Sequence, residues 1–192
     1  MRWARGRDII VASDECYALL PWTVTDVPSV LDERIAGDSL DGILCAYSLS
    51  KQSNLAGYRT AFVAGDPELV GELLAIRKQA GMMLPGPIQT AMTAALRDRA
   101  SAGHQREIYR SRRDVLAPAV EAFGGTIEHS DAGLYLWTTF GEHCDRSIER
   151  LAELGILAAP GRFYGIAGEQ HVRISLTETD ERIHAAAARL TA

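Results

Sequence analysis

The spacing of hydrophobic positions changes near residue 100. Before that point, three short and mostly apolar runs predict strands at residues 9–12, 42–47 and 58–64. Runs with little polar alternation are typical of a sheet that is covered on both faces. The segment between residues 19 and 41 is irregular, with proline and glycine as punctuation.

Helical spacing follows the third predicted strand. Asp66-Pro67 opens a helix, because aspartate caps a helix N-terminus and proline suits the first helical position. The helical pattern breaks after Gly81 and resumes at residues 88–96. A long amphipathic helix is then predicted over residues 101–123, and a Gly-Gly pair ends it.

Short strands and helices alternate in the rest of the chain. The apolar pattern predicts four strands, at residues 126–128, 134–138, 156–159 and 172–176. Two helices are predicted between and after them, at residues 145–154 and 180–190. This order is typical of a small α+β unit. The sequence therefore predicts an α/β protein with two parts, residues 1–105 and 106–192.

Composition restricts the kind of function. The 192 residues are 47% hydrophobic and 23% charged, as in ordinary globular proteins. A net charge of -5 without a basic run argues against a nucleic-acid partner. No apolar stretch is long enough to span a bilayer, and the three scattered cysteines lack the spacing of a zinc site. We expect a cytoplasmic protein that acts on small molecules, with no membrane, nucleic-acid or metal partner.

One stretch carries most of the candidate chemistry. Ser48-Leu49-Ser50-Lys51 follows the second predicted strand, and Arg59 lies eight residues after Lys51. A lysine at the end of an apolar strand is partly desolvated, which favours the neutral amine that a Schiff base requires. Arg59 and the hydroxyl of Ser48 are suited to holding a phosphate. Pyridoxal phosphate chemistry needs this combination of a lysine and an anion site.

Three further residues fit the same chemistry. Asp14 follows the first strand, where its carboxylate would keep a ring nitrogen protonated, and Tyr17 would bond the ring oxygen. Arg173 lies between two apolar positions of an alternating strand, where it would clamp a substrate carboxylate. Each residue alone has an ordinary interpretation: a solvated lysine, a helix-capping aspartate, a packing tyrosine and a surface arginine on an edge strand.

Together, these residues resemble the class I aminotransferases of the fold-type I pyridoxal phosphate enzymes. Asp14-x-x-Tyr17, Ser48-x-x-Lys51, Asn54-x-x-Gly57-x-Arg59 and Arg173 occur in the family's order and at its spacings. The resemblance implies pyridoxal 5'-phosphate as cofactor and ping-pong transamination. It implies a covalent cofactor link and proton transfer for Lys51. It assigns the remaining contacts to Asp14 (ring nitrogen), Tyr17 (ring oxygen), Ser48, Ser50 and Arg59 (phosphate) and Arg173 (substrate α-carboxylate).

Four stretches resemble the succinyldiaminopimelate aminotransferases of the actinobacterial type, at residues 55–59, 62–69, 130–137 and 161–165. This finer resemblance implies that N-succinyl-diaminopimelate and a 2-oxo acid such as 2-oxoglutarate exchange the amino group, in lysine biosynthesis. Carbon–sulfur lyases share the same arrangement of lysine, aspartate and arginine. A lyase of the same fold is therefore an alternative reaction.

The resemblance also implies an incomplete fold. Residues 1–105 correspond to the C-terminal part of the family's large domain, with three strands of a mixed sheet, and the small α+β domain follows. About half of the family's chain has no counterpart here, including the aromatic residue that stacks on the cofactor ring. We expect an N-terminally truncated chain with an open sheet edge and an uncovered apolar face. The alternative to an active enzyme is a fragment without activity of its own, and the full-length protein is expected to be a homodimer.

Overall fold

The computed structural model describes residues 1–192, which divide into two compact units, Met1–Gln105 and Arg106–Ala192. The helices are α1 (Arg2–Arg5), α2 (Glu33–Ala36), α3 (Leu49–Gln52), α4 (Pro67–Gln79), α5 (Gly86–Arg97), α6 (Arg99–Ala122), α7 (Cys144–Glu153) and α8 (Asp180–Leu190). The strands are β1 (Val11–Asp14), β2 (Ile43–Ser48), β3 (Ala61–Gly65), β4 (Thr126–Glu128), β5 (Tyr135–Thr139), β6 (Ala159–Pro160) and β7 (His171–Ser175). None of the helices combines the length and the apolar character that crossing a bilayer requires.

The first unit contains a mixed sheet with the strand order β1-β2-β3. Strands β1 and β2 are parallel, with Asp14 opposite Ala46, whereas β2 and β3 are antiparallel, with Ser48 opposite Ala61. The carboxyl ends of β1 and β2 therefore meet the amino end of β3 at one end of the sheet. The predicted incomplete mixed sheet is confirmed.

Strand boundaries in this unit differ from the apolar runs. β1 begins at Val11, so Ile9 and Ile10 precede it and are exposed. β3 begins only at Ala61, because residues 56–58 form a 3-10 turn. An apolar run indicates a strand but does not fix where backbone pairing begins.

One face of the first sheet is covered and the other is open. Ile43 and Cys45 of β2 are buried in a cluster with Val30 and Ala36 from the irregular segment. The opposite face includes Val63, whose residue surface is 44% exposed. The expectation of a sheet covered on both faces is therefore wrong, and the expectation of an uncovered apolar face is confirmed.

Helix α4 begins as predicted. The Asp66 carboxylate accepts the backbone N–H groups of Glu68 and Leu69 at 2.9 and 3.3 Å, and Pro67 occupies the first helical position. No residue of this helix is buried, and Leu74 and Ile76 are exposed. Leu69 and Val70 in its first turn are half-buried, so the apolar residues left exposed are those farther along the helix.

The second unit contains an antiparallel sheet with the order β4-β5-β7-β6. Alternate residues on β5 and β7 are buried, namely Leu136, Thr138, Val172 and Ile174. Buried residues of the helices complete this core, and they include Leu116, Val120, Leu151 and Ile183. Strand β7 lies between two neighbours, so the interpretation of Arg173 as a charge on an edge strand is wrong.

Element bounds in the second half follow the prediction closely. β4 and α8 have the predicted limits, and α6 begins two residues earlier than predicted. Gly124 adopts φ +95 after α6, a conformation that favours glycine and ends the helix. The exception is the predicted strand at residues 156–159, since only Ala159–Pro160 pairs.

Candidate active site

Six residues that the sequence singles out lie at the same end of the first sheet: Asp14, Tyr17, Ser48, Ser50, Lys51 and Arg59. Asp14 is the last residue of β1, and Tyr17 lies in the turn that follows. Ser48 ends β2, and α3 then carries Ser50 and Lys51. Arg59 precedes β3 by two residues. The strand directions alone bring these segments together.

Lys51 lies on a short helical turn that is fixed on both sides. The Ser48 side chain accepts the Ser50 backbone N–H at 3.2 Å and so starts the turn. The next residue, Gln52, is buried, and its side chain accepts a hydrogen bond from the Tyr47 hydroxyl. Lys51 itself is half-buried and makes no hydrogen bond or ion pair. Its amine is thus held on a rigid support without a partner in the protein.

The hydroxyls of Ser48 and Ser50 lie next to each other. Their oxygens are 2.8 Å apart, and the Ser48 hydroxyl donates to the Thr60 carbonyl at 3.1 Å. When Ser48 uses its single proton on Thr60, Ser50 is the donor between the two hydroxyls. Ser50 is therefore the hydroxyl that can turn toward an anion without breaking the link to Thr60.

Arg59 has an uncommon backbone conformation. Its φ is +52, in the left-handed region that few residues other than glycine adopt. The guanidinium is exposed and donates to the Ala56 carbonyl at 2.9 Å, with no carboxylate partner. Gly57 has open space around it, so packing does not require a glycine there. The strained arginine, rather than the glycine, is the distinctive feature of this turn.

Asp14 is held ionised by the residue two positions later. Its carboxylate accepts the Cys16 backbone N–H at 3.1 Å, and hydrogen bonds from the Cys16 thiol and N–H lower the pKa of Asp14. Burial, together with the neighbouring carboxylate, raises the pKa of Cys16 to about 11, so the thiol keeps its proton at neutral pH. No helix follows Asp14 directly, and its interpretation as a helix cap is wrong. Sequence reasoning missed Cys16, which the spacing of an Asx-turn would have indicated.

In the second unit, Arg173 lies close to two tyrosine rings. Its Cζ atom is 4.1 Å from the ring centroid of Tyr135 and 5.3 Å from that of Tyr164. Its Nε atom is buried and has no hydrogen-bond partner, and no carboxylate pairs with the guanidinium. The predicted position on the face opposite to Val172 and Ile174 is confirmed. An unpaired, partly desolvated guanidinium is suited to binding a carboxylate in bidentate fashion.

Further aromatic and polar residues surround this arginine. Trp137 lies directly opposite Arg173 in the β5–β7 register, and Glu128 lies opposite Trp137 in the β4–β5 register. His171 stacks on Trp137 with centroids 4.9 Å apart, and its Nε2 is 3.0 Å from a carboxylate oxygen of Glu128. Sequence reasoning missed these residues and Tyr135, although strand alternation places Tyr135, Trp137 and Arg173 on one face.

Two other polar groups have partners within the protein. Arg162 donates to the Asp145 carboxylate at 2.8 Å, so its charge is paired within the protein. Donor atoms of His143, Cys144 and Asp145 lie within 4.8 Å of one another. However, His143 Nδ1 accepts the Asp145 N–H, and Asp145 is paired with Arg162. The donors of this cluster are thus largely used within the protein.

The fold and sequence resemble known aminotransferases. A structural match to an aspartate aminotransferase double mutant from Thermus thermophilus covers 99% of this chain, with a TM-score of 0.86 and 26% identity. It has a TM-score of 0.83 and 22% identity to LysN, an α-aminoadipate aminotransferase of the same species complexed with N-(5'-phosphopyridoxyl)-L-leucine. Each match covers about half of the solved chain, 50% and 51% respectively.

Sequence relatives agree with this fold. The chain is 54% identical over 189 residues to the 4-dedimethylamino-4-oxo-anhydrotetracycline transaminase OxyQ of Streptomyces rimosus. It is 55% identical over 191 residues to the probable aminotransferase Rv1178 of Mycobacterium tuberculosis, and 32% identical over 198 residues to an LL-diaminopimelate aminotransferase of Oleidesulfovibrio alaskensis. The matches cover 98%, 100% and 97% of this chain, but only 52%, 46% and 49% of the relatives. The chain thus spans about half the length of these relatives.

Residues 1–190 also match the family described as aminotransferase class I and II. This match includes both units and every residue of the two clusters described above. The chain therefore belongs to the class I and II aminotransferase family.

Proposed function

We propose that this chain carries the lysine-bearing part of the active site of a pyridoxal phosphate-dependent transaminase. Pyridoxal phosphate is the cofactor of class I and II aminotransferases. The observation that carries the proposal is the unpartnered amine of Lys51, on a fixed turn at the same sheet end as Arg59 and the ionised Asp14. Amine, cation and carboxylate are the groups that this cofactor needs from a protein.

The residues present fit that cofactor by charge. Neither the amine of Lys51 nor the guanidinium of Arg59 has a carboxylate partner, and Ser50 has a hydroxyl that can turn toward an anion. Arg59 and Ser50 suit a phosphate, and the amine of Lys51 suits an aldehyde. Asp14 has no cationic partner in the protein and stays ionised, which suits a protonated ring nitrogen.

Each residue has a definite task in the proposed reaction. When bound, the cofactor supplies an electron sink for the bonds at the carbon that carries the amino group. Lys51 would bind the cofactor aldehyde, and its amine would serve as the base at the substrate α-carbon. Asp14 would keep the ring nitrogen protonated, and Tyr17 would donate to the ring oxygen. Arg59, with Ser48 and Ser50, would hold the phosphate.

The proposed substrates are an amino acid and a 2-oxo acid, with Arg173 on the α-carboxylate. We propose N-succinyl-diaminopimelate as the amino acid and 2-oxoglutarate as the acceptor. The LL-diaminopimelate aminotransferase among the relatives supports this choice, although it shares only 32% identity. The relative OxyQ, which shares 54% identity, is a transaminase of an anhydrotetracycline. A substrate panel therefore needs both a diaminopimelate derivative and a bulky cyclic ketone.

The units and the assembly follow from the same proposal. Residues 1–105 form part of the cofactor-binding large domain, and residues 106–192 form the small domain. The intact enzyme is a cytoplasmic homodimer, with the apolar loop at residues 81–87 at the contact between subunits. Exposed Met82 and Met83 in that loop support an interface, because methionine side chains adapt to a partner surface.

The test of the proposal uses the two lysines of the chain, Lys51 and Lys78. The chain is mixed with pyridoxal phosphate and reduced with borohydride, and adducts are located by mass spectrometry. We expect selective labelling of Lys51, which Lys51→Ala abolishes and Lys78→Ala preserves. Lys78 is exposed on α4 and serves as the internal control for non-specific reaction. Equal labelling of both lysines, or none, would contradict a cofactor site at Lys51.

A second assay separates the reactions that share this site. A transaminase requires a 2-oxo acid and converts 2-oxoglutarate to glutamate. A carbon–sulfur lyase releases pyruvate and ammonia without any 2-oxo acid. Selective labelling of Lys51 without turnover of either kind supports the alternative of an incomplete, inactive site.

A further inference from the structure

Aromatic rings, rather than hydrogen bonds, orient the guanidinium of Arg173. Its buried Nε has no partner, and the rings of Tyr135 and Tyr164 lie 4.1 and 5.3 Å from its Cζ. A stacked guanidinium keeps its N–H groups directed outward in its own plane, where a carboxylate can accept two of them. The direction of that plane thus depends on where the two rings are held.

The two rings are held in different ways. Tyr135 is the first residue of β5, and its backbone is fixed by pairing with Ser175 of β7. Tyr164 ends the 3-10 turn Gly161–Tyr164 and is 51% exposed. Outside the backbone, the ring of Tyr164 depends on its packing against neighbouring side chains. Of the two rings, that of Tyr164 is therefore the one whose position depends more on its neighbours.

Trp137 supports this second ring. Its ring meets that of Tyr164 edge-on, with centroids 5.5 Å apart and planes at 83°. On the strand, Trp137 lies directly opposite Arg173, so one residue adjoins both the arginine and the ring beside it. Loss of the indole would leave Tyr164 without its edge-on neighbour.

Trp137 is itself held from one side. The imidazole of His171 lies parallel to Trp137, at 8° between planes. The Nε2 of that imidazole is 3.0 Å from the carboxylate of Glu128, which lies opposite Trp137 on β4. Glu128, Trp137 and Arg173 thus form one cross-strand row, with His171 and Tyr164 packed against its middle member.

We propose that Trp137 is a positioning residue that sets the plane of the Arg173 guanidinium by holding Tyr164 in place. The pair of His171 and Glu128 fixes the indole. This inference rests on the proposed role of Arg173 in binding the substrate carboxylate. It adds a requirement beyond that role: the affinity for a carboxylate depends on the indole of Trp137 as well as on the arginine.

The test follows the arginine side chains of the 192-residue chain by NMR, through their Nε and Cζ signals. Arg173 is assigned as the signal lost in Arg173→Lys. Arg150 lies beside the rings of Phe123 and Phe140 and provides a control in the same unit. In Trp137→Leu, we expect the Arg173 signals to shift and those of Arg150 to stay. We expect the affinity for 2-oxoglutarate, used as the probe, to fall by about threefold or more.

A double-mutant cycle separates positioning from general support of the sheet. In a Tyr164→Leu background, Trp137→Leu should cause no further shift of Arg173. An equal shift in both backgrounds, or no shift in either, would overturn the proposal. If Trp137→Leu does not fold, Trp137→Phe replaces it, because phenylalanine keeps an aromatic ring. We then expect the Arg173 signals to shift in the same way but by less. If 2-oxoglutarate leaves Arg173 of the unmodified chain unmoved, the proposed carboxylate role fails, whereas the ligand-free shifts still test positioning.

Discussion

Two arginines of the second unit each lie near two aromatic rings, but only one has a carboxylate partner. The Cζ atom of Arg150 is 4.9 Å from the ring centroid of Phe123 and 5.5 Å from that of Phe140. Its NH1 donates to Glu142 at 2.7 Å, so stacking and charge are both satisfied within the protein. Arg173 also lies near two rings, but it has no carboxylate partner.

This difference separates a structural arginine from a candidate binding arginine. Stacked arginines are ordinary elements of protein packing, so aromatic neighbours alone do not indicate a site. A buried Nε without a partner is uncommon, because burying a polar group without a hydrogen bond costs free energy. Arg150 completes its interactions within the chain, whereas Arg173 is left to complete them with a ligand.

We expect the greatest loss of stability from a change at Gly161, in the 3-10 turn that carries Tyr164. A Cβ at Gly161 would collide with the Gly168 carbonyl oxygen, and backbone atoms there cannot move aside cheaply. We expect Gly161→Ala to lower the free energy of unfolding by about 3 kcal/mol. The Tyr164 segment should be displaced. Urea unfolding and the arginine signals measure both effects.

The control for that change is Gly103→Ala in α6. Nothing lies within 4 Å of the added Cβ at Gly103, and alanine favours a helix. We expect unchanged or slightly increased stability, by up to about 1 kcal/mol. Equal losses from Gly161→Ala and Gly103→Ala would show that the close backbone approach does not matter.

A smaller loss of stability is expected when Arg150 loses its carboxylate partner. Glu142→Gln removes the charge partner of Arg150. The side chain of Arg150 is 42% exposed and that of Glu142 is 21% exposed. Because solvent screens part of this pair, we expect a loss of only about 1 kcal/mol in urea unfolding. Arg173→Gln should change stability less, since no ion pair is lost. A larger loss from Arg173→Gln than from Glu142→Gln would reverse the distinction between the two arginines.

Acid should distinguish the same two sites. The hydrogen bond from Arg150 lowers the pKa of Glu142 below its ordinary 4.5. A carboxyl with a lowered folded pKa stabilises the fold above its ordinary pKa, and this stabilisation is lost as pH falls through the folded value. We expect Glu142→Gln to flatten the loss of stability below about pH 4.5, whereas Arg173→Gln leaves that slope unchanged. Unfolding free energies measured from pH 6 to pH 3 check the slopes.

The smallest expected effect concerns the fixed ring beside Arg173. Tyr135→Leu removes one face of the stacked guanidinium, and we expect binding of 2-oxoglutarate to weaken by about two- to threefold. Tyr135→Phe keeps the ring and should retain binding. If Tyr135→Phe weakens binding as much as Tyr135→Leu does, the hydroxyl rather than the ring is responsible.

Strand ends explain why the first cluster could be predicted. Asp14 and Lys51 each follow an apolar run, and strand direction then brings the two ends together. The thiol of Cys16 could not be predicted as a donor to Asp14 from strand patterns, because it depends on the turn. The open sheet face was not predicted from local pattern either, since an apolar run does not say which segments cover it.

The second cluster shows a similar limit. Alternation along β7 predicts the face of Arg173, and alternation along β5 places Tyr135 and Trp137 beside it. Tyr164 follows neither strand, because a 3-10 turn carries it to that face. The pairing of Arg150 with Glu142 also required the structure, since the two residues are eight positions apart in the chain. Periodicity thus predicts faces, and loops decide which side chains meet there.

The most direct test of this distinction is a titration of the 192-residue chain with 2-oxoglutarate, followed through the side-chain signals of both arginines. We expect a saturable shift of the Arg173 signals, with those of Arg150 unmoved. Equal shifts of Arg150 and Arg173 would mean non-specific ionic binding. No shift of Arg173 up to concentrations that move other basic side chains would contradict its role as the carboxylate site.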